Sequence, residues 1–181
     1  MRAIKTWALR TIAHLLARPR ILAWLRRRAV PYFNIHGTDG RLYMRRWWLL
    51  PRCCLRFDSV LGYPMPAPWM PFSIRLHHIV LPDADRHLHD HPFNFRTFVL
   101  QGWYEEELPG HGPADGQHVT RYMLEGTTAA APATRWHRIA DVSEGGVWTL
   151  FIMGRRINGW GFLVDGKKVP WREYLSGRET M

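Results

Sequence analysis

The chain has 181 residues, which suits one domain with a terminal appendage. Hydrophobic residues make up 46% of it, with ten Trp, eight Phe and six Tyr, and this apolar bulk excludes a chain disordered throughout. The formal net charge of +10 points to nucleic acid only until it is located: eight of the 25 basic residues fall within the first 30 positions, before any acid, leaving 17 basic against 15 acidic residues for the rest.

Residues 1–30 therefore form a basic arm, and residues 31–181 a nearly neutral domain. In the arm, residues 2–17 predict a helix with Ile4, Trp7, Ala8, Ile12, Leu15 and Leu16 on one broad side. Pro19 breaks it, and Ile21 to Arg28 predict a second, ending in three arginines that complement a helix C-terminus. Three readings stay open for the arm. It is a helical pair packed on the domain or on a sister subunit in a homodimer, an arm for a membrane surface or nucleic acid, or a cleaved targeting peptide. No apolar run approaches the length that spans a bilayer.

From Tyr32 onward the pattern changes to short strands. Tyr32 to Ile35 and Leu42 to Leu50 predict two strands around the turn His36-Gly-Thr-Asp-Gly40. Cys53 and Cys54 are adjacent, too close in the chain for an ordinary disulfide, which fits a reducing, cytoplasmic setting. Pro64, Pro66, Pro68 and Pro71 mark a stiff loop. Strands are expected at Ile74 to Leu81, through the histidine-rich stretch His87-Leu-His89-Asp-His91 toward Thr97 to Leu100, and at Gly102 to Glu107. A loop from Pro109 to Gly116 separates these from strands at Val119 to Leu124, Thr134 to Ile139, Val147 to Met153, Trp160 to Val164 and Val169 to Tyr174. Short strands at such even spacing define an all-β antiparallel sandwich or barrel.

Three imidazoles at alternate positions share one face of an extended chain, and neutral imidazole is a common ligand for first-row transition metals. Asp90, of the opposite parity, points away from them. His87 is either a rim histidine or an acid/base beside the metal. One of His77 and His78 must point inward, while His111 and His118, at the flanks of the 109–116 loop, carry no catalytic role. Asp83, Asp85 and Arg86 read as a polar loop.

Two stretches together resemble the cupin superfamily. Its first motif, G-x5-H-x-H-x(3,4)-E-x6-G, is met by His89, His91 and Gly102, and its second, G-x5-P-x-G-x2-H-x3-N, by Gly126, Pro132 and His137, with Thr134 and Asp141 replacing the inner Gly and the Asn. The resemblance covers residues 72–155 and implies a jelly-roll or double-stranded β-helix barrel. It departs from the motif at Asp83, where a glycine is usual, and at Phe95-Arg96, where a glutamate ligand is usual. What remains is a three-histidine set, His89, His91 and His137, similar to that of the thiol dioxygenases, which hold Fe(II). Zn(II), Ni(II) and Cu(II) suit the same ligands.

The resemblance thus implies a mononuclear non-haem Fe(II) dioxygenase for a small anionic molecule, with Arg96 or Arg135 clamping the negative group and Tyr104 or Tyr122 orienting oxygen or substrate. Two alternatives stand beside it. One is a non-oxygenase cupin, such as a sugar or nucleotide isomerase or a small-molecule-binding protein. The other is an interaction protein held peripherally at a membrane, or on nucleic acid, by its arm.

Overall fold

A computed structural model describes residues 2–37, 39–110 and 118–176, with the backbone alone for residues 2–5; His111 and most of the 109–116 loop lie outside the described residues. Two helices, α1 (Arg2–Leu16) and α2 (Pro19–Arg28), precede the strands. Pro19 opens α2 at its first position instead of merely ending α1, because a proline there gives up an N–H that has no helical partner in any case.

The strands follow in order: β1 (Val30–Pro31), β2 (Ile35–His36), β3 (Leu42–Trp48), β4 (Leu55–Asp58), β5 (Tyr63–Pro66), β6 (Phe72–Ile79), β7 (Phe95–Gln101) and β8 (Trp103–Pro109). After the loop come β9 (His118–Leu124), β10 (Thr128–Ala131), β11 (Arg138–Val142), β12 (Val147–Gly154), β13 (Gly161–Val164), β14 (Lys167–Pro170) and a short helix, α3 (Trp171–Ser176). One large antiparallel sheet runs β1-β3-β6-β12-β7-β10, with β2 also on β3, and a smaller one runs β11-β8-β9. The two sheets face each other across an interior filled by Met44, Ile79, Val99, Tyr104, Met123, Ile139 and Val147 toward one end and by Trp48, Leu50, Phe151 and Met153 toward the other. This is the all-β barrel expected from the strand spacing.

Several expectations are corrected. The proline-rich stretch supplies a strand, β5, paired with β4 in a two-stranded ribbon; prolines are tolerated in a strand that lies at a sheet edge. Residues 87–91 form no regular strand, and His89 touches the rest through single bridges to His137 and Phe162. Val169 to Tyr174 divides into β14 and α3, the chain turning helical at Trp171. As expected, Cys53 and Cys54 are free thiols, their sulfurs 3.9 Å apart.

Strand parity decides which side chains enter the barrel. On the large sheet Met44, Arg46 and Trp48 of β3, Arg75, His77 and Ile79 of β6, Phe95, Thr97 and Val99 of β7, and Thr149 and Phe151 of β12 face inward. Their neighbours Leu76, Phe98, Leu100 and Leu150 face outward, and the arm lies on them through Ala13, Leu22 and Leu25. The arm is therefore a second core layer of the sheet, while Trp7 and Trp24 stay on its exposed side. Leu22→Ala is expected to cost about 3 kcal/mol of stability in urea unfolding, the usual loss for a buried leucine. A midpoint unchanged from the parent would show that the arm contributes nothing to the fold.

Candidate metal centre

The first two histidines lie in the irregular crossing between β6 and β7. His89 exchanges backbone hydrogen bonds with His137, at 2.8 and 2.9 Å, and the N–H of His91 reaches the Ala133 carbonyl at 3.3 Å. These bonds clip the crossing to the segment that carries His137, so residues 46 to 48 positions apart in sequence become neighbours. The ligand nitrogens of His89, His91 and His137 all lie within 4.8 Å of one another, and the Nε2 atoms of His91 and His137 stand 2.8 Å apart. Zinc– or iron–imidazole bonds of about 2.1 Å need only small ring rotations from this arrangement.

Two of the rings have a carboxylate behind them. His137 Nδ1 bonds Glu106 Oε1 at 2.7 Å, which leaves Nε2 for the cluster. The other oxygen of Glu106 accepts from Arg121, its Nε at 2.9 Å. Glu106 is buried on β8, and burial pushes its carboxyl up, but the hydrogen bonds and charges of His137 and Arg121 outweigh this and hold it below the usual value. His89 Nδ1 lies 3.7 Å from Asp83 Oδ2. Asp83 in turn accepts from the Tyr43 hydroxyl and, at 2.7 Å, from the Ile139 N–H. Phe95, 4.8 Å from His91 and 5.8 Å from His137, walls the cluster together with Phe151 and Phe93.

Burial lowers the His89 imidazole to about 4, against the partial opposition of Asp83, and pulls His91 well below the ordinary histidine value, helped by the adjoining histidines. Both rings are thus neutral near pH 7, the form that binds a metal. The folded chain refuses protons that the unfolded chain accepts below about pH 6.5, so this part of its stability is complete above that pH and is lost as the pH falls toward 4. For the metal-free chain, thermal melts between pH 7.5 and 4 are expected to show a decline worth about 1.4 kcal/mol per pH unit for each such histidine. A melting temperature level down to pH 5 would contradict it.

The sequence-derived site divides. His89, His91 and His137 converge. His87 stands at the rim, its Nδ1 2.8 Å from the Tyr174 hydroxyl of α3. Arg96 does not reach the cluster: it shares β7 with Phe95 but has the opposite parity, and its guanidinium bonds Thr128 Oγ1 at 3.2 Å. Arg135 lies in the turn before His137, where the strand parity that paired the two does not apply. Tyr104 is buried in the core next to Glu106 and hydrogen-bonded to Thr97, whereas Tyr122 is on the outer side of β9, 59% exposed and bonded to Glu105. Tyr122 is thereby removed from the site.

Asp90 turns away from the cluster, its carboxylate accepting the Gly161 N–H at 2.8 Å and pairing with Lys168. That pair pins β13 and β14 beside the histidines, so Trp160 and Phe162 approach His89 at 6.3 and 6.0 Å. Sequence reasoning missed the roles of Glu106 and Asp83 and, although it expected this C-terminal hairpin, missed its place beside the histidines. The signal for Glu106 was present: in the strand after Gly102 it has the same parity as Tyr104, so both face one way.

A two-sheet antiparallel barrel that brings an H-x-H pair and a distant histidine together in its interior has the all-β barrel architecture that the cupin resemblance implies, with three histidines that could hold a metal ion. No protein-family model matches the chain, and no curated protein matches it in sequence. Among solved structures it is similar to a variant of the Bacillus subtilis oxalate decarboxylase (12% identity, TM-score 0.46), over 80% of this chain and 31% of that one. The chain therefore spans less than a third of that protein's length. It is also similar to a cupin-2 domain protein from Rhodospirillum rubrum (9% identity, TM-score 0.46; 81% of this chain and 80% of that one). A third similarity is to a mannose-6-phosphate isomerase-like protein from Ralstonia eutropha (18% identity, TM-score 0.44; 68% and 98%).

Proposed function

We propose that this chain is a mononuclear non-haem Fe(II) dioxygenase acting on a small anionic molecule. The observation that carries this reading is the convergence of three imidazoles inside the barrel with no carboxylate among them, since Glu106 is engaged by His137 and Arg121. Three protein ligands leave coordination positions open, as in catalytic rather than structural sites. Bound there, Fe(II) would supply a centre on which substrate and dioxygen meet.

The remaining work falls to the chain's own side chains. Glu106 fixes the His137 ring so that Nε2 faces the cluster, and the Asp83 carboxylate places a negative charge 3.7 Å from His89 Nδ1. Phe93, Phe95 and Phe151 exclude water from one wall, and Trp160 and Phe162 from another.

The test is anaerobic reconstitution with Fe(II), followed by oxygen-electrode measurements with a panel of small thiols, carboxylates and phosphate esters. The expected result is about one iron per chain and oxygen uptake matched to substrate loss, both abolished by His137→Ala. Stoichiometric zinc with no oxygen uptake on any substrate would replace this reading with the isomerase or binding-protein alternative. Metal below roughly a tenth of an equivalent would end the metal reading altogether.

A further inference from the structure

Two arginines enter the barrel without an acidic partner among the described residues. Arg46 of β3 and Arg75 of β6 both face inward, and Arg46 is paired across the sheet with His77, two residues beyond Arg75. Arg46 is 8% exposed and His77 7%. Among the described residues, no carboxylate forms an ion pair with either arginine, and three buried nitrogens lack any hydrogen-bond partner: Arg46 Nη2, Arg75 Nε and His77 Nε2.

The surroundings are aromatic. The Arg46 guanidinium lies 3.8 Å from the Phe33 ring centre and 4.7 Å from that of Tyr32, and the Arg75 guanidinium lies 4.4 Å from Trp48 and 5.0 Å from Tyr32. Arg46 Nε donates to the Phe33 carbonyl at 3.3 Å. Ring faces stabilise a cation but accept hydrogen bonds poorly, so they leave the guanidinium edges unmet. Burial lowers each guanidinium to about 10, and both remain charged near pH 7. Uncompensated buried charge of this kind is among the costliest features a fold can carry.

The group also has a direction. His77 stacks on Phe151 at 5.0 Å, and Phe151 lies 6.2 Å from the ring of His91. The arginines are therefore about two rings away from the metal cluster, on the inner wall of the same barrel.

We propose that Arg46, Arg75 and His77 form an oxyanion site that takes the carboxylate or phosphate group of the substrate and so aims the rest of the molecule at the histidine cluster. It deepens the preceding reading and rests on it for the identity of the reacting end. Arg46 Nη2 and Arg75 Nε each offer an unmet N–H to an anion's oxygens, and His77 Nε2 offers a third contact. The clamp expected at Arg96 or Arg135 thus belongs to β3 and β6, and of its residues Arg46 lies outside the stretch that resembles the cupin motifs.

The test uses the full chain, both metal-free and metal-loaded, with inorganic phosphate and succinate as probes against chloride at equal ionic strength. At least one probe is expected to raise the melting temperature of the metal-free chain by about 3 °C or more at millimolar concentration, and the active probe distinguishes phosphate from carboxylate substrates. Arg46→Gln and Arg75→Gln are each expected to weaken that response at least tenfold, while their own melting temperatures without anion equal or exceed the parent's, because a buried unpaired charge has gone. Purely structural arginines would give the opposite sign. Should either variant fail to fold, arginine Nε–Hε cross-peaks of the parent serve instead: two that move on titration support the site, and none that moves overturns it. Equal responses in parent and variants, or no response to either probe beyond that to chloride, also overturn it. Metal uptake without anion response removes this site alone, and anion response without metal uptake removes the dioxygenase reading alone.

Discussion

Glu106→Gln is expected to weaken metal binding about 10- to 100-fold, although Glu106 is not a ligand. The carboxylate bonds His137 Nδ1 at 2.7 Å and carries the negative charge that raises the basicity of the facing Nε2. Glutamine keeps the size and can keep one hydrogen bond, but it loses that charge and leaves Arg121 facing a neutral amide. Competition with a chelator, followed by metal analysis, measures the effect. Glu105→Gln is the control, since its side chain points to the other side of β8 and bonds Tyr122. Equal metal affinity in parent and Glu106→Gln would mean that the tautomer and basicity of His137 are set by something else.

Gly102→Ala is expected to cost about 3 kcal/mol, lowering the melting temperature by roughly 10 °C in a chain of this size. Gly102 closes the first motif at the turn between β7 and β8 with φ +77°, a left-handed backbone that a Cβ disfavours. An added methyl would also collide with Ser143 Oγ and lie 2.9 Å from the Gly146 carbonyl oxygen. The hydroxyl can rotate away; the carbonyl belongs to a turn and cannot. Gly40→Ala is the matched comparison, because its φ is +75° with nothing within 4 Å of the added carbon. It should pay only the backbone strain, about 1 kcal/mol. Equal losses at the two positions would show that the contacts to Ser143 and Gly146 contribute nothing.

Much of this protein was legible without coordinates. Alternating short strands separated by Gly, Pro and polar turns announce an antiparallel barrel, because strand parity and turn chemistry are local properties of the chain. The ligand set was legible for the same reason: His89 and His91 are fixed relative to each other by spacing, and Gly102 and Gly126 occupy left-handed turns that few other residues tolerate.

What failed did so where a local rule was carried past the end of an element. A continuous strand would put Arg135 on the face of His137, yet the chain turns at residues 132–135 and parity is lost. Its place in the motif spacer makes Arg96 a candidate, but the register of β7 against β12 and β10 turns Phe95 to the histidines and Arg96 to the other side.

The sequence by itself determined the all-β class, the basic helical arm and the three metal-binding candidates, because composition, period and spacing act over a few neighbouring residues. Only the tertiary structure decided which distant groups serve them. Glu106 behind His137, Asp83 behind His89, the hairpin pinned by Asp90 and Lys168, and the unpaired Arg46 and Arg75 on the inner wall all depend on how separate strands are laid side by side. That choice follows from burial summed over the whole barrel, which no single stretch of the chain encodes.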